Sequence, residues 1–290
     1  MINKLITITL MKRTSLLAII AIAAVANVWG QSFPDPYLKD GLSDYNFILP
    51  PPSLTSGEFA YDFYHYQHGR EMREMENVSE QALSDESAHL YAVFNKEVIG
   101  IDLSYETTPE IIELCERAVS DAVKGNTTVK KIYQRIRPFA TFNDASLKPE
   151  TDEEEAKTFS YPSGHSSRGY MYALALCTVM PENTTPIMLR AENYAYNRVI
   201  CGHHWKSDTD ASLLLASGIF ANIVCTDEYQ AQLKLAREEY QKLKDGTVSV
   251  PQTKIVQHPA TQKAYTTSGT PATDSSRGII IKDGQKTVWR

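Results

Sequence analysis

Three short clusters bring together residue types that can hold and attack a doubly charged oxyanion. The first is Lys130-x6-Arg137-Pro138, the second is Pro162-Ser163-Gly164-His165, and the third is Arg198-x5-His204-x3-Asp208. Together they supply three cations, two imidazoles, a hydroxyl group beside a glycine, and one carboxylate. Each cluster alone is weak evidence, but the three in one chain predict an anion site equipped for acid–base chemistry.

The first cluster supplies two of the cations. Lys130 and Arg137 are seven residues apart, or two turns of a helix, and we expect both side chains on one helical face. The planar fork of arginine suits phosphate-like oxygens, and lysine adds a point charge. A solvated basic face that includes Lys131 and Arg135 is the alternative for this cluster alone.

The second cluster leads from a proline-containing loop into an apolar helix predicted over residues 169–179. Ser163 and the amides of Gly164 and His165 would lie at the helix N-terminus, where free N–H groups and the helix dipole favour an anion. His165 would then lie at the mouth of the site, where it can donate a proton. A plain serine cap beside an incidental histidine is the alternative.

The third cluster pairs an imidazole with a carboxylate. His204 and Asp208 are i and i+4, so we expect one above the other on a helix. A carboxylate that accepts the Nδ1 proton leaves Nε2 as an oriented lone pair, which prepares a nucleophile or a base. Arg198 adds the third cation. A surface His–Asp pair is the alternative, and the other two clusters argue against it.

The composition is that of a globular protein, with 42% hydrophobic and 22% charged residues. The net charge is −6, and it is about −13 between residues 31 and 250. This negative charge argues against nucleic acid and anionic membranes as partners. The cations that bind an anionic substrate must therefore be concentrated locally. The sequence leaves open whether the cysteines form disulfides, and no cysteine or histidine spacing suggests zinc. The cysteines are Cys115, Cys177, Cys201 and Cys225.

Residues 1–30 are typical of a signal peptide. Lys12 and Arg13 precede an apolar run over residues 16–25, and small residues follow. A membrane anchor is the alternative, but the run is shorter than the ~20 residues that a bilayer needs. We therefore expect a periplasmic or secreted protein without stable membrane insertion.

Residues 31–245 are predicted to form one all-α domain, because helical periodicity recurs there while strand signals are scarce. Thr108-Pro109 is expected to start a helix that Gly125 ends. Thr127 or Thr128 is then expected to cap a second helix that runs to about residue 135.

The composition changes after this domain. Residues 246–276 are predicted to be a polar linker. Residues 277–290 contain two β-prone runs around Asp283-Gly284, which predicts a short hairpin. This tail resembles the C-terminal sorting segment of the Bacteroidetes type IX secretion system, which would imply export to the cell surface. An ordinary tail is the alternative.

The three clusters, extended to Ser160-Tyr161-Pro162-Ser163-Gly164-His165 and Arg198–Asp208, resemble the motifs of the phosphatidic acid phosphatase type 2 superfamily. They are most similar to the bacterial class A nonspecific acid phosphatases, which are exported and soluble. The flanking segments Leu49-Pro50-Pro51-Pro52 and Ile136-Arg137-Pro138-Phe139 are also similar to that class. The resemblance covers residues 45–245. It implies a single helical-bundle-like, all-α domain that hydrolyses phosphate monoesters without a metal or another cofactor.

The resemblance also implies roles for individual residues. His204 would be the nucleophile that forms a phosphohistidine, and Asp208 would orient it. His165 would protonate the leaving alcohol and later activate water. Inorganic phosphate would inhibit as the product, and a homodimer is compatible with the class. The phosphoryl oxygens would be held by Lys130, Arg137, Ser163, the amide of Gly164 and Arg198.

Two positions depart from the family pattern. Asn197 replaces the serine that usually precedes the third-cluster arginine. His203 adds a second histidine beside His204, and we expect it at the rim, in contact with substrate or solvent. A metal ligand in a His203-His204-x3-Asp208 set is the less favoured interpretation.

Two other functions remain as alternatives. A vanadate-dependent haloperoxidase uses the same superfamily site, but Asp208 and the small body favour the phosphatase. A non-catalytic phosphate-binding surface protein is the second alternative, and the acid–base pair argues against it.

Overall fold

The computed structural model describes residues 34–246 and, for the backbone alone, three short strands nearer the C-terminus. The chain divides into two compact units, Met1–Val248 and Ser249–Arg290. The described part of the first unit is built from helices joined by short loops. Its α-helices are α1 (Phe59–Met72), α2 (Glu76–Ser84), α3 (Leu90–Val93), α4 (Lys96–Ile99), α5 (Pro109–Tyr133), α6 (Pro138–Phe142), α7 (Asp152–Glu155), α8 (Gly164–Val179), α9 (Thr184–Ile200), α10 (Lys206–Ile223) and α11 (Asp227–Lys244).

Helix α8 lies at the centre of this unit. It packs against α5, α9 and α10, and α11 packs mainly against α5. Buried residues face all sides of α8, among them Met171, Tyr172 and Leu176, as expected of a core helix. The all-α prediction is confirmed for this unit. Three neighbouring helices therefore surround α8, whose first turn carries the second cluster.

Helix α5 differs from its prediction. It runs without a break from Pro109 to Tyr133, so the expected stop at Gly125 is wrong. A Cβ atom on Gly125 would lie 2.6 Å from Ile219 Cδ1, which shows that the glycine permits close packing of α5 against α10. The hydroxyl groups of Thr127 and Thr128 donate to carbonyls one turn earlier in α5 instead of capping a new helix.

The cysteines of the described unit are free thiols, and Cys115 and Cys201 are buried. No single helix among the described residues is long and apolar enough to cross a membrane. Helices α10 and α11 meet the length and composition requirements when taken together, and the chain bends by 96° between them.

The second unit contains a three-stranded antiparallel sheet in the order β1 (Tyr265–Thr266), β2 (Gly278–Lys282) and β3 (Gln285–Trp289). In the β2–β3 pair, Lys282 lies opposite Gln285. The predicted signal peptide at residues 1–30, most of the predicted linker and the Asp283-Gly284 turn lie outside the described residues.

Candidate active site

The third cluster is built around the start of α10. Trp205 precedes the first turn of α10, and His204 therefore lies in the loop before the helix. The expectation that His204 and Asp208 share a helix is wrong in this respect. Asp208 Oδ2 accepts the Trp205 backbone N–H at 2.8 Å, and His204 Nδ1 lies 3.4 Å from the same oxygen. The carboxylate thus caps the helix and faces the imidazole at once.

The hydrogen-bond partner of His204 defines its tautomer. Its Nε2 atom lies 3.1 Å from Nη1 of Arg137. Because a guanidinium group can only donate, Nε2 must present its lone pair and Nδ1 must carry the proton that faces Asp208. Burial together with the charges of Arg137, Lys130 and Arg198 holds the pKa of His204 well below its usual value. The imidazole is therefore neutral, and three cations surround it.

Arg135 and Asp62 hold the carboxylate of Asp208 in place through a chain of ion pairs. Arg135 donates to Asp208 Oδ1 and to Asp62 Oδ2, both at 2.7 Å. Asp62 also accepts from the backbone N–H and the hydroxyl group of Ser207. Asp62 is fully buried, and the Arg135 side chain is 8% exposed. Arg135 therefore does not belong to a solvated basic face.

Sequence reasoning missed the roles of Arg135 and Asp62. Ile136, between Arg135 and Arg137, is 64% exposed. Because side chains alternate in an extended segment, an isoleucine between two arginines could have indicated that both arginines point inward. No comparable signal distinguishes Asp62 in the sequence of α1.

The two cations of the first cluster reach the site because the chain changes direction between them. Helix α5 ends at Tyr133, and Gln134 adopts a left-handed conformation with φ of 47°. Arg137 then precedes α6, so the expectation of one shared helical face for Lys130 and Arg137 is wrong. Lys130 Nζ donates to the carbonyls of Phe159 and Ser160. Burial and the neighbouring Arg137 lower the pKa of Lys130 to about 7.

Arg137 joins the cation site to the loop that carries α7. Its Nη1 atom donates to the backbone oxygen of His203 at 3.0 Å and contacts His204. Its Nη2 atom pairs with Glu155 at 2.6 Å, and Thr158 accepts from both Nε and Nη2. The guanidinium group is thereby held beside the imidazole.

The second cluster forms the first turn of α8, and it is tied to the third. Ser163 is the N-cap, and its hydroxyl group accepts from the Ser166 N–H. The Ser163 N–H donates to the Asp208 carbonyl at 3.1 Å, and Ser212 donates to the Ser163 carbonyl. Among the described residues, the nearest atom to a Cβ atom built on Gly164 would be Asn126 Oδ1 at 3.6 Å, an ordinary van der Waals contact. The N-termini of α8 and α10 are therefore held together.

His165 faces a backbone carbonyl. Its Nε2 atom lies 3.1 Å from the oxygen of Glu86, and since a carbonyl only accepts, Nε2 carries the proton. Burial and the charges of Arg198 and Arg168 hold the pKa of His165 well below its usual value. His165 is therefore neutral before an anion arrives.

Arg198 lies in the last turn of α9 and is 2% exposed. Its Nη2 atom lies 3.0 Å from Glu86 Oε1 and 2.8 Å from His203 Nδ1. The neighbouring Asn197 donates to Asp85, which also accepts from Arg190. Asn197 thus belongs to a buried network behind the cation site.

The expectation that His203 lies at the rim is wrong. The residue is 1% exposed, its Nδ1 atom accepts from Arg198, and its Nε2 atom lies 3.8 Å from Asp152. Burial and the charges of Arg198 and Arg137 lower the pKa of His203 to about 3. Among the described residues, no group of three His, Cys, Asp or Glu side chains has metal-binding geometry.

The structure thus brings together all three clusters that the sequence singled out. Their cations, Lys130, Arg137 and Arg198, each act on the charge of His204, and Ser163 is bonded to Asp208. A site with this arrangement can bind a dianion beside a neutral, oriented imidazole.

Comparison with known proteins agrees with this arrangement. Residues 117–231 match the family model of the PAP2 superfamily. A non-specific acid phosphatase of Providencia stuartii is 37% identical over 213 residues, which cover 72% of this chain and 86% of the relative. A non-specific acid phosphatase of Salmonella typhimurium is 29% identical over 72% of this chain and 84% of its own. An acid phosphatase of Zymomonas mobilis is 29% identical over 68% of this chain and 75% of the relative.

The chain belongs to the non-specific acid phosphatases of the PAP2 superfamily. It is accordingly a hydrolase of the phosphomonoesterase class, and the expected family is confirmed.

Proposed function

We propose that this protein is an exported acid phosphatase that cleaves phosphate monoesters through a phosphohistidine on His204, without a metal. The observation that supports this most strongly is the state of His204. Its Nε2 lone pair faces Arg137 at 3.1 Å, its protonated Nδ1 faces Asp208, and its charge is suppressed by burial and cations. A neutral imidazole oriented in this way becomes the nucleophile when a phosphoryl oxygen takes the Arg137 donor and frees the Nε2 lone pair.

The cations would neutralise the phosphoryl group. Phosphoryl transfer needs mainly positioning and charge stabilisation, and buried donors are stronger than exposed ones. Lys130, Arg137 and Arg198 would each meet a phosphoryl oxygen. Ser163 and the amide of Gly164, at the positive end of α8, would complete the set.

In the first step, Nε2 of His204 attacks phosphorus, a P–N bond forms, and the bond to the leaving oxygen breaks. The leaving alkoxide takes a proton from His165. Asp208 stabilises the proton on Nδ1 while the ring gains positive charge. In the second step, His165 takes a proton from water, the hydroxide attacks phosphorus, and the P–N bond breaks to release inorganic phosphate.

His165 must be protonated for the first step, although its pKa in the free protein is low. The largest electrostatic cause of that low pKa, after burial, is Arg198. A bound phosphoryl dianion would offset this charge and raise the pKa of His165. Substrate binding would thereby supply the proton donor, and activity would be favoured on the acid side.

The assignment is tested by p-nitrophenyl phosphate hydrolysis in the presence of EDTA. Wild-type activity should persist, and His204→Asn should lose at least about a thousandfold in kcat, because no other side chain replaces the nucleophile. Full loss of wild-type activity in EDTA would refute the metal-free mechanism. Normal turnover by His204→Asn would refute the assignment of the nucleophile.

Export is proposed from residues 1–30, whose basic and apolar runs have signal-peptide order. The mature protein recovered from the periplasm or medium should lack these residues in an N-terminal mass-spectrometric map. An uncleaved cytoplasmic product in a native-like host would contradict export.

A further inference from the structure

Glu86 is an acidic residue inside the cation site. It lies in the loop between α2 and α3. Its Oε1 atom is 3.0 Å from Arg198 Nη2, and its Oε2 atom is 2.5 Å from Lys148 Nζ. Its backbone oxygen accepts from His165. One residue therefore contacts a cation of the anion site and the proposed proton donor.

Glu86 accepts from only one of the two neighbouring N–H donors, Nε and Nη2, on one edge of the Arg198 guanidinium group. The Nε and Nη2 atoms form the side-on edge of a guanidinium group, which binds two oxygens of one anion. Glu86 uses Nη2 alone. The Nε–H of Arg198 is buried and has no hydrogen-bond partner among the residues that the structure describes. A phosphoryl group could meet both donors at once, and Glu86 does not.

The two partners of Glu86 differ in burial. Arg198 is 2% exposed and is also bound to His203, so it is held from two sides. The side chain of Glu86 is 23% exposed, and Lys148 at the rim is 33% exposed. Burial raises the pKa of Glu86, but Lys148 and Arg198 lower it by more, so the carboxylate stays charged in the acid range. Lys148 offers a second cationic partner nearer to solvent.

We propose that Glu86 is an internal competitor for Arg198. Its carboxylate holds the guanidinium group in the free enzyme, moves toward Lys148 when a phosphoryl group binds, and returns as inorganic phosphate leaves. Glu86 thus sets the affinity for phosphate and helps to release the product, without taking part in bond making. This inference rests on the proposed phosphoryl-binding role of Arg198.

Calorimetric titration with inorganic phosphate tests this inference in the whole protein. Glu86→Gln and Glu86→Asp should both bind phosphate more tightly than wild type, by roughly two- to fivefold, the size of one partly exposed ion pair. Aspartate retains the charge but is one methylene too short to span both cations. The control Glu228→Gln, at an exposed position on α11, should bind phosphate as wild type does.

The outcomes separate the possible explanations. Unchanged or weaker binding by Glu86→Gln would overturn the inference. Tighter binding by Glu86→Gln with wild-type binding by Glu86→Asp would indicate repulsion at a distance, and it would also overturn the displacement. If wild type bound no phosphate at all, the phosphoryl site itself would be refuted. Thermal unfolding of each variant establishes that the titrated protein is folded.

Lys148→Met provides a second test that does not depend on the Glu86 variants alone. Without Lys148, the Glu86 carboxylate keeps Arg198 as its one cationic partner among the described residues, and phosphate binding should weaken. The same substitution in the Glu86→Gln background should have little effect, because the two residues act as a pair. Equal weakening in both backgrounds would show that Lys148 contacts phosphate directly, and it would overturn the role of Lys148 as the second partner of Glu86.

Discussion

The charge state of Lys130 makes the affinity of the site for anions depend on pH. Burial and Arg137 lower its pKa to about 7, because the charged form is disfavoured in both cases. Lys130 is therefore charged below pH 7 and loses its charge as the pH rises. A site that depends on Lys130 binds anions best on the acid side.

Sulfate inhibition should reveal this titration, since the charge of sulfate is constant over the relevant range. The inhibition constant of wild type should rise roughly tenfold between pH 6 and pH 8, as one required proton is lost. Sulfate should inhibit the Lys130→Met protein weakly, and its inhibition constant should depend little on pH. The exposed neighbour Lys131, changed to Met, serves as the control. A Lys130→Met protein with the wild-type pH dependence would contradict the assignment.

Replacing Arg135 should lower both the free energy of unfolding and kcat. It bridges the carboxylates of Asp62 and Asp208, and both of these are fully buried. Arg135→Met would leave two buried charges unpaired, with an expected loss of about 3–5 kcal/mol in the free energy of unfolding. Denaturant unfolding measures this loss.

The companion variant Arg135→Lys separates geometry from charge. A lysine keeps the positive charge but lacks the fork that reaches both carboxylates. We expect it to recover part of the stability and little of kcat, because Asp208 is no longer held against His204. Full recovery of kcat by lysine would show that charge alone is sufficient.

At the scale of elements, the site depends on how closely the helices pack. Gly125 allows α5 to approach α10, and a Cβ atom there would lie 2.6 Å from Ile219 and 3.1 Å from Tyr45. Gly125→Ala should therefore destabilise the protein by about 1–3 kcal/mol through overpacking, although alanine is the better helix former by about 1 kcal/mol.

Thermal and denaturant unfolding decide the sign of this change. Gly57→Ala is the matched control, because no atom of the described residues lies within 4 Å of a Cβ atom at that position. A stabilised Gly125→Ala protein would mean that helix propensity outweighs the contact with α10, and the account of α5 would be wrong.

Gly125 also shows where sequence reasoning fails. A glycine after an apolar helical run is a common stop signal, but here tertiary packing requires a small residue inside the helix. The seven-residue spacing of Lys130 and Arg137 similarly suggested one helical face, whereas Gln134 turns the chain between them. At Gly125 a long-range contact determines the local structure, and at Gln134 the chain turns where the spacing predicted a continuous helix.

Some of the site could be predicted, because its chemistry depends on residue type and short spacing. Ser163 before a helix is a local signal, and the structure places it at the N-cap of α8. Arg135, Asp62 and Glu86 were not predicted as parts of the site, since each acts on a residue distant in sequence. Their contacts follow from the packing of α1 and the α2–α3 loop against the site, which spacing does not reveal.

At the scale of the whole molecule, the proposed site residues and their partners lie between residues 34 and 246, within the first compact unit. A chain that ends at Gly246 should therefore keep the kcat, KM and unfolding temperature of the full protein. The full chain, assayed in parallel with p-nitrophenyl phosphate, is the control. A large loss of activity or a lower unfolding temperature would show that residues 247–290 contribute to the catalytic unit.

The proposed mechanism depends on a covalent intermediate at His204. Its most direct test is rapid quenching of His165→Ala during turnover of p-nitrophenyl phosphate, a substrate whose leaving group needs little protonation. Without His165 to activate water, the phosphoenzyme should accumulate, and peptide mass spectrometry at alkaline pH should locate the phosphate on His204. Continued turnover with no phosphorylated His204, or phosphate on another residue, would contradict the account.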